Sequence, residues 1–271
     1  MKKTIKQLSV LSMLFFCAAL FCAHEYILIS EDYFLTRGDK LYVHLFVSQG
    51  FNIELERPLQ KSITRNFSLE TNTVKTNLLQ TTKDDQISVI DTIVNFDGQA
   101  LISMERDYSR IELDPEKFAA YLKEDHLDNI KFDPANTTTN QREKYSRYLK
   151  CLILSGDDVS GNLFKKELNY DLEIILLDNP YLKKTGDELQ FQVKFMGKPL
   201  SMKTVTARNR TGDENAISSI TKTDENGIAK IKLDREGTWI LHLTHMIPCA
   251  DKNDCDWESF WASYSFGVKG E

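Results

Sequence analysis

His24 is the residue whose type and position most directly predict chemistry. If the chain is cleaved after Ala23, His24 becomes the first residue, and its α-amine and imidazole together form a bidentate chelate. The α-amine has a pKa of about 7.7–8.0 and the imidazole one of about 6.5, so both can lose a proton near neutral pH. Nitrogen pairs of this kind suit Cu(II), Ni(II) and, less selectively, Zn(II). The alternative is an ordinary exposed histidine without a ligand role.

His245 is the predicted second imidazole ligand, and its ranking above His242 depends on strand parity. On the predicted strand Gly237–His245, His245 shares a face with the apolar Leu241 and Leu243, while His242 lies on the other face. We therefore expect His245 at the rim of the core and His242 in solvent. A hydrogen-bonded structural histidine is the alternative for His245.

The segment before the last predicted strand is acidic and supplies candidate oxygen ligands. Its carboxylates belong to Asp251, Asp254, Asp256 and Glu258. Their spacing is not that of an EF-hand, because Cys255 stands where an oxygen ligand is needed and the required glycine is missing. We expect a solvated loop, from which Asp256 or Glu258 joins a site built on His24 and His245.

Two cysteines, Cys249 and Cys255, bracket this acidic loop. In an exported chain they would meet an oxidising compartment, so we expect a disulfide between them. A pair of thiolate metal ligands is the lesser alternative, because oxidation competes with ligation. Cys151 is left over, and a buried inert thiol is the expectation for it.

Residues 1–23 have the layout of a secretory signal peptide, with basic residues first, then a charge-free run from Leu8 to Cys22, then Ala23. The run is shorter than the roughly 20 residues that span a bilayer as a helix. Cleavage after Ala19, lipidation at Cys22 and a retained anchor are the alternatives. We expect no transmembrane segment in the mature chain.

The charge balance argues against two classes of partner. The chain has 34 basic and 40 acidic residues; without the three lysines of the signal the balance is 31 to 40, a net charge of −9. An acidic chain without a basic cluster is a poor candidate for binding nucleic acid or an anionic membrane. We therefore expect neither.

The pattern along the chain predicts a mostly β protein: two antiparallel β-sandwich regions, the C-terminal one immunoglobulin-like, with a small helical insertion. The predicted boundaries are 24–113 for the first sandwich, 114–169 for the insertion and linker, and 170–271 for the second sandwich. Apolar residues three and four apart predict helices at Lys117–His126 and Arg142–Leu154. For His126, near a helix end, we expect no role beyond its interaction with the helix dipole.

Three stretches together resemble the bacterial domain-of-unknown-function family 4198, once labelled as nickel-uptake (NikM-like) proteins. They are 23–28 (AHEYIL), 142–150 (REKYSRYLK), and His245-Met246 followed by the tryptophan-rich 256–266. The resemblance implies an exported protein of the periplasm or outer envelope of a Gram-negative bacterium. Some members are described as components of nickel or cobalt uptake, so the resemblance also implies metal handling, without a specific metal, together with a membrane metal transporter. Glu25-Tyr26 replaces the family's usual Asp and aromatic pair.

Signatures of common enzymes are absent from the sequence: there is no G-x-S-x-G, no phosphate-binding glycine loop and no H-E-x-x-H. An N-terminal histidine can support copper oxygenase chemistry, but no other feature points to it. We therefore expect an exported, non-catalytic binding protein that binds a transition metal. The alternative is a structural, protein-binding or carbohydrate-binding envelope module, with Trp257 and Trp261 available to stack on sugars.

Overall fold

Alternating and continuous apolar runs place most of the chain in β-strands. The computed structural model describes residues 25–49, 51–212 and 214–270. The strands of the N-terminal part are β1 Glu25–Ser30, β2 Phe34–Leu35, β3 Lys40–Gln49, β4 Asn52–Arg57, β5 Thr64–Thr71, β6 Lys75–Asn77, β7 Ile90–Ile93, β8 Gly98–Leu113 and β9 Gln141–Ser155. Those of the C-terminal part are β10 Leu172–Leu176, β11 Glu188–Phe195, β12 Lys198–Pro199, β13 Thr204–Arg210, β14 Ile217–Lys222, β15 Ile228–Lys232, β16 Gly237–Pro248 and β17 Trp257–Val268. The α-helices are α1 Leu78–Thr81 and α2 Pro115–Glu124.

The C-terminal strands form the expected immunoglobulin-like sandwich. Strands β10, β11 and β15 pair in one sheet, while β13, β14, β16 and β17 pair in the other. Side chains from the inner faces of both sheets, such as Phe191, Trp239 and Tyr264, fill the space between them. Two antiparallel sheets packed over an apolar core define a sandwich. The predicted mostly β fold class is therefore confirmed.

The two halves of the protein share one large sheet. Its strand order is β14-β13-β16-β17-β9-β8-β5-β6, because β17 pairs in parallel with β9. The N-terminal sheet of β1, β3, β4 and β7 packs on one face of this large sheet through residues such as Leu45, Met104 and Leu149. The opposite face carries the immunoglobulin-like core. The predicted domain boundaries stay a prediction.

Strand β1 lies at the edge of the N-terminal sheet and is fixed to β17 by side chains. Ser263 Oγ donates to the Tyr26 carbonyl at 3.1 Å, and Ser265 Oγ donates to the Leu28 carbonyl at 2.5 Å. These hydroxyls satisfy carbonyl groups that an edge strand would otherwise leave unpaired. The start of β1 is thereby held over β17 and its neighbour β16.

One predicted helix is present and the other is wrong. α2 confirms the helix predicted at 117–126, but residues 142–154 lie in the 15-residue strand β9. The spacing of Tyr145, Tyr148, Leu149 and Leu152 imitates a helix because both faces of β9 are buried, so apolar residues do not alternate. Within the described ranges, no helix is long and apolar enough to cross a membrane.

Candidate functional site

A small polar cavity lies where the start of β1 meets the end of α2. Its volume is about 40 Å³, which exceeds the roughly 10–15 Å³ needed to hold a water molecule. The residues that line it are mostly ionisable or hydroxyl-bearing: Glu25, Gln49, Glu124, Asp125, His126, Thr204, Thr206, Arg208, His242, Leu243 and Thr244. We call it the β1 cavity. Histidines and carboxylates meeting in a confined space are the ligand types that transition metals take.

His242 and Glu25 form the buried part of the β1 cavity. Both side chains are almost fully buried, and His242 Nδ1 lies 3.3 Å from Glu25 Oε1. Arg208 donates to the same carboxylate oxygen from β13. The Glu25 carboxylate therefore carries a permanent cationic partner and lies beside the imidazole ring. A carboxylate is a common neighbour of one ring nitrogen in histidines whose other nitrogen binds a metal.

The imidazole of His242 is neutral across the physiological range. Burial lowers its pKa to about 4, with a smaller contribution from Arg208 and Arg147, although Glu25 acts in the opposite direction. Its Nε2 is buried and has no hydrogen-bond partner among the described residues. A buried polar atom without a partner is costly, and neutral imidazole is the form that binds metals. The Nε2 atom of His242 is therefore suited to act as a metal ligand.

The end of α2 supplies the opposite wall. Asp114 caps the helix start through its side chain, which accepts from the Lys117 amide at 2.9 Å. At the other end, the His126 amide donates to the Lys123 carbonyl and the Leu127 amide to the Leu122 carbonyl, which is a Schellman motif.

His126 stands in this motif where glycine is usual. It has a positive φ of 51°, in the left-handed region that most side chains avoid. A strained non-glycine conformation is found more often at functional sites than elsewhere.

Asp125 brings a desolvated carboxylate to the same wall. Burial raises the pKa of this carboxyl well above its ordinary range, and the nearby Glu25 and Glu124 carboxylates raise it further. The hydroxyl of Thr244 donates to Asp125 Oδ2 at 3.3 Å. Without a cation the Asp125 carboxyl is held toward its neutral form, whereas a bound cation would favour the carboxylate.

The β1 cavity thus offers a neutral imidazole and a half-buried carboxyl, but the described residues alone do not complete a metal site there. Within the described ranges, three close ligand atoms come together at Cys249, Asp254 and Cys255. Those two cysteines form the predicted disulfide, with Cα atoms 5.7 Å apart, so their thiolates are not available. A metal in the β1 cavity needs a further ligand, and His24 lies outside the described residues.

The structure places the predicted ligands of the acidic loop in ion pairs. Asp256 accepts from Arg142 Nε at 3.1 Å and from the Arg142 amide at 2.9 Å. Lys144 Nζ lies 3.4 Å from Glu258 Oε1. Both carboxylates therefore already have cationic partners, and their role as metal ligands stays a prediction.

The structure corrects the expected position of His242 and confirms that of His245, which is half-buried at the rim of the core. His242 is 5 % exposed and not in solvent, because β1 and α2 cover the face of β16 that parity assigned to water. His245 lies on the opposite face, with its ring 4.5 Å from that of Phe195, and burial lowers its pKa to about 4. The neighbour of Glu25 is thus His242. The pairing of His24 with His245 stays a prediction.

The two tryptophans of β17 pack beneath α2. Trp257 stacks on Phe118 with 5.5 Å between ring centroids, and Trp261 stacks on Tyr121 with 5.9 Å. Trp261 is buried and Trp257 is half-buried. They hold α2 on the large sheet and thereby fix the position of Asp125.

Sequence reasoning missed Glu25, Asp125 and His242 as members of one site. Glu25 directly follows His24, the predicted ligand, and Asp125 directly precedes His126 at a helix end. The adjacent acid and histidine at 125–126 could have indicated a site. Their proximity to His242 could not be predicted from the sequence, because it depends on how α2 lies across β16.

The fold and the β1 cavity define a β-sandwich protein with a small polar pocket. Residues 21–247 match DUF4198, a domain of unknown function, so the chain belongs to that family. No curated protein matches the chain. The family description names no enzymatic activity.

Some solved structures are similar to the chain. The D0-D1 domain of intimin is 13 % identical, with 89 % of this chain and 97 % of that one covered and a TM-score of 0.21. The D00-D0 domain of intimin is 12 % identical, with 89 % and 98 % covered and a TM-score of 0.20. The three N-terminal domains of the bacteriophage RB49 Highly Immunogenic Outer Capsid protein are 12 % identical, with 89 % and 59 % covered and a TM-score of 0.17.

Proposed function

We propose that this protein is an exported, non-catalytic envelope protein that binds a transition metal ion such as nickel, cobalt, copper or zinc in the β1 cavity. The observation that carries the proposal is the buried, unpartnered Nε2 of His242, whose other ring nitrogen faces Glu25. A neutral imidazole oriented by a carboxylate is the usual arrangement of a histidine that ligates a metal. Asp125 would supply an oxygen ligand and lose its proton on binding.

His24 is the proposed further ligand. It precedes Glu25, the residue that contacts His242, and cleavage after Ala23 would give it a free α-amine beside its imidazole. Two nitrogens from His24, one from His242 and an oxygen from Asp125 would form a mixed N/O set suited to Cu(II), Ni(II) or Zn(II). In this proposal Glu25 and Arg208 orient His242 and do not touch the ion.

The proposed setting is the periplasm or outer envelope of a Gram-negative bacterium, with a membrane metal transporter as the partner. The predicted signal peptide at 1–23 and the disulfide between Cys249 and Cys255 support an oxidising compartment. The packing of Trp257 and Trp261 under α2 argues against the alternative in which these rings stack on sugars.

Metal titration of exported protein tests the proposal. The start of the mature chain is first read by mass spectrometry, and binding of Ni²⁺, Cu²⁺ and Zn²⁺ is then measured by calorimetry. His24→Ala and His242→Ala should each weaken binding at least tenfold, as expected for the loss of a ligand. His44→Ala is the matched control, because both ring nitrogens of His44 are already occupied by Glu31 and Glu56.

Equal affinities in the wild type and the His242→Ala variant would refute the β1 cavity as the metal site. A loss confined to His24→Ala and His245→Ala would instead support the ligand set expected from the sequence. Absence of binding in the wild type would leave the alternative of a structural or partner-binding module.

A further inference from the structure

Three arginines meet between the N-terminal sheet and the large sheet. Arg57 ends β4, Arg106 lies in β8 and Arg147 lies in β9, where Arg106 and Arg147 are paired across the two strands. Arg106 is 3 % exposed and Arg147 is 8 % exposed. Arginine is almost never buried to this extent without a partner. We call these residues the arginine cluster.

Several N–H groups of the arginine cluster have no partner among the described residues. Arg106 Nη2 donates to Gln60 Oε1 at 2.8 Å, but its Nε and Nη1 have no partner among the described residues. The Nε atoms of Arg57 and Arg147 are likewise buried without a partner there. Each such donor carries a desolvation cost that no hydrogen bond offsets. Several in one place indicate a missing acceptor.

Aromatic rings flank the cluster but do not neutralise it. The guanidinium of Arg147 lies 3.8 Å from the ring centroid of Tyr26 and 4.4 Å from that of Tyr145, and the guanidinium of Arg106 lies 5.3 Å from Tyr26. Such ring contacts stabilise a cation without supplying an oxygen acceptor for its N–H groups.

The described residues place no carboxylate in an ion pair with the cluster. Arg147 acts on Glu143 through its charge, yet Glu143 accepts hydrogen bonds from Tyr121 and Ser259, and burial raises its pKa to about 7. Burial and the charges of Arg147 and Arg57 lower the pKa of Arg106 to about 10. The positive charge of the cluster therefore exceeds the negative charge that reaches it.

We propose that the arginine cluster binds a small oxyanion, a carboxylate or a phosphate group, with Arg106 and Arg147 as the principal donors. Oxyanions accept hydrogen bonds from the paired N–H groups of a guanidinium, and a buried site makes each such bond stronger than in water. The anion would supply the acceptors that Arg106 Nε and Nη1 and Arg147 Nε lack. This proposal does not rest on metal binding in the β1 cavity.

Anion titration of the whole mature protein tests it. Inorganic phosphate and acetate are titrated separately by calorimetry and by thermal unfolding, with sodium chloride at equal ionic strength as the reference. We expect saturable binding of one of them and a rise in Tm beyond that in chloride. Tighter binding of phosphate would identify the ligand group as a phosphate, and tighter binding of acetate would identify it as a carboxylate.

Variants of the cluster should lose this response. Arg106→Gln and Arg147→Gln should each raise the Kd at least tenfold. Arg147→Lys keeps the charge but loses the paired N–H groups of the guanidinium, so its Kd should lie between those of the wild type and Arg147→Gln. Arg37→Gln is the control, because Arg37 is exposed and paired with Asp97. Circular dichroism checks that each variant folds. If the glutamine variants do not fold, Arg147→Lys is used in their place.

A Tm rise in phosphate and acetate no larger than in chloride would overturn the proposal. So would equal responses in the wild type and in Arg147→Lys and Arg106→Gln. Because the metal titration uses His24 and His242, failure of one proposal leaves the other intact.

Discussion

The two histidines of β16 show how the surroundings of a residue decide its chemistry. His242 and His245 lie three positions apart in one strand, and burial lowers the pKa of both to about 4. His242 faces a carboxylate that orients it, whereas His245 faces the ring of Phe195 and has a buried Nδ1 without a partner. The carboxylate beside His242 favours a ligand role for its ring, whereas the ring of His245 packs against an aromatic neighbour.

His245 should make the protein sensitive to acid. Because its folded pKa is depressed from about 6.5 to about 4, its stabilising contribution is present above pH 6.5 and is lost as pH falls toward 4. The full loss is about 3 kcal/mol at most for that shift. Urea unfolding at pH 7.5 and 4.5 should show that His245→Phe loses less stability than the wild type. A loss as steep as that of the wild type would contradict this assignment.

At the scale of secondary-structure elements, α2 links the core to the β1 cavity. Its apolar face packs on Trp257 and Trp261, and its last turn presents Asp125 and His126. The positive φ of His126 means that the helix ends in a conformation that glycine adopts at lower cost. His126 also lines the β1 cavity, so its side chain is a candidate for a role there.

Replacing His126 with glycine should therefore separate stability from binding. His126→Gly should raise the free energy of unfolding by up to about 1 kcal/mol, since the left-handed conformation is no longer strained. If His126 contributes to the β1 cavity, metal affinity should fall in the same variant. Lys123→Gly, inside the helix, is the matched control and should cost about 1 kcal/mol. Destabilisation in His126→Gly, measured by urea unfolding, would contradict the strain argument.

The elements were largely predictable from the sequence, and the exceptions have physical causes. Strand β11 occurs at 188–195 as predicted, because its apolar residues alternate. β9 was mistaken for a helix because its two faces are both buried. The β1 cavity was not predictable, because it joins residues that lie more than a hundred positions apart, such as Asp125 and His242. No local pattern carries that information.

At the scale of the whole molecule, the shared large sheet ties the two sandwich regions together. The immunoglobulin-like core includes Leu101 and Leu152, which belong to β8 and β9 of the N-terminal part. The last strand, β17, has β16 on one side and β9 on the other. Separating the halves would expose an apolar surface and a strand edge at once.

A fragment of residues 170–270 should therefore fail to fold by itself. It would lose the side chains of Leu101, Tyr148 and Leu152 from its core, and β17 would become an open edge. We expect no cooperative thermal transition for the fragment, and recovery of one on mixing it with residues 24–169. The full chain, which should unfold in a single calorimetric transition, is the control. A cooperative transition in the isolated fragment would contradict this expectation.

The parallel pairing of β17 with β9 also has a consequence for the order in which the protein assembles. The paired residues lie about 114 positions apart in the chain, for example Glu143 and Trp257. During synthesis β9 is complete long before its partner exists, and contacts between such distant segments form slowly. Strand β8 already pairs with one side of β9, but the other side stays open until β17 is made, and an open strand edge favours aggregation. Successful production should depend on a holding chaperone that covers this edge until β17 arrives.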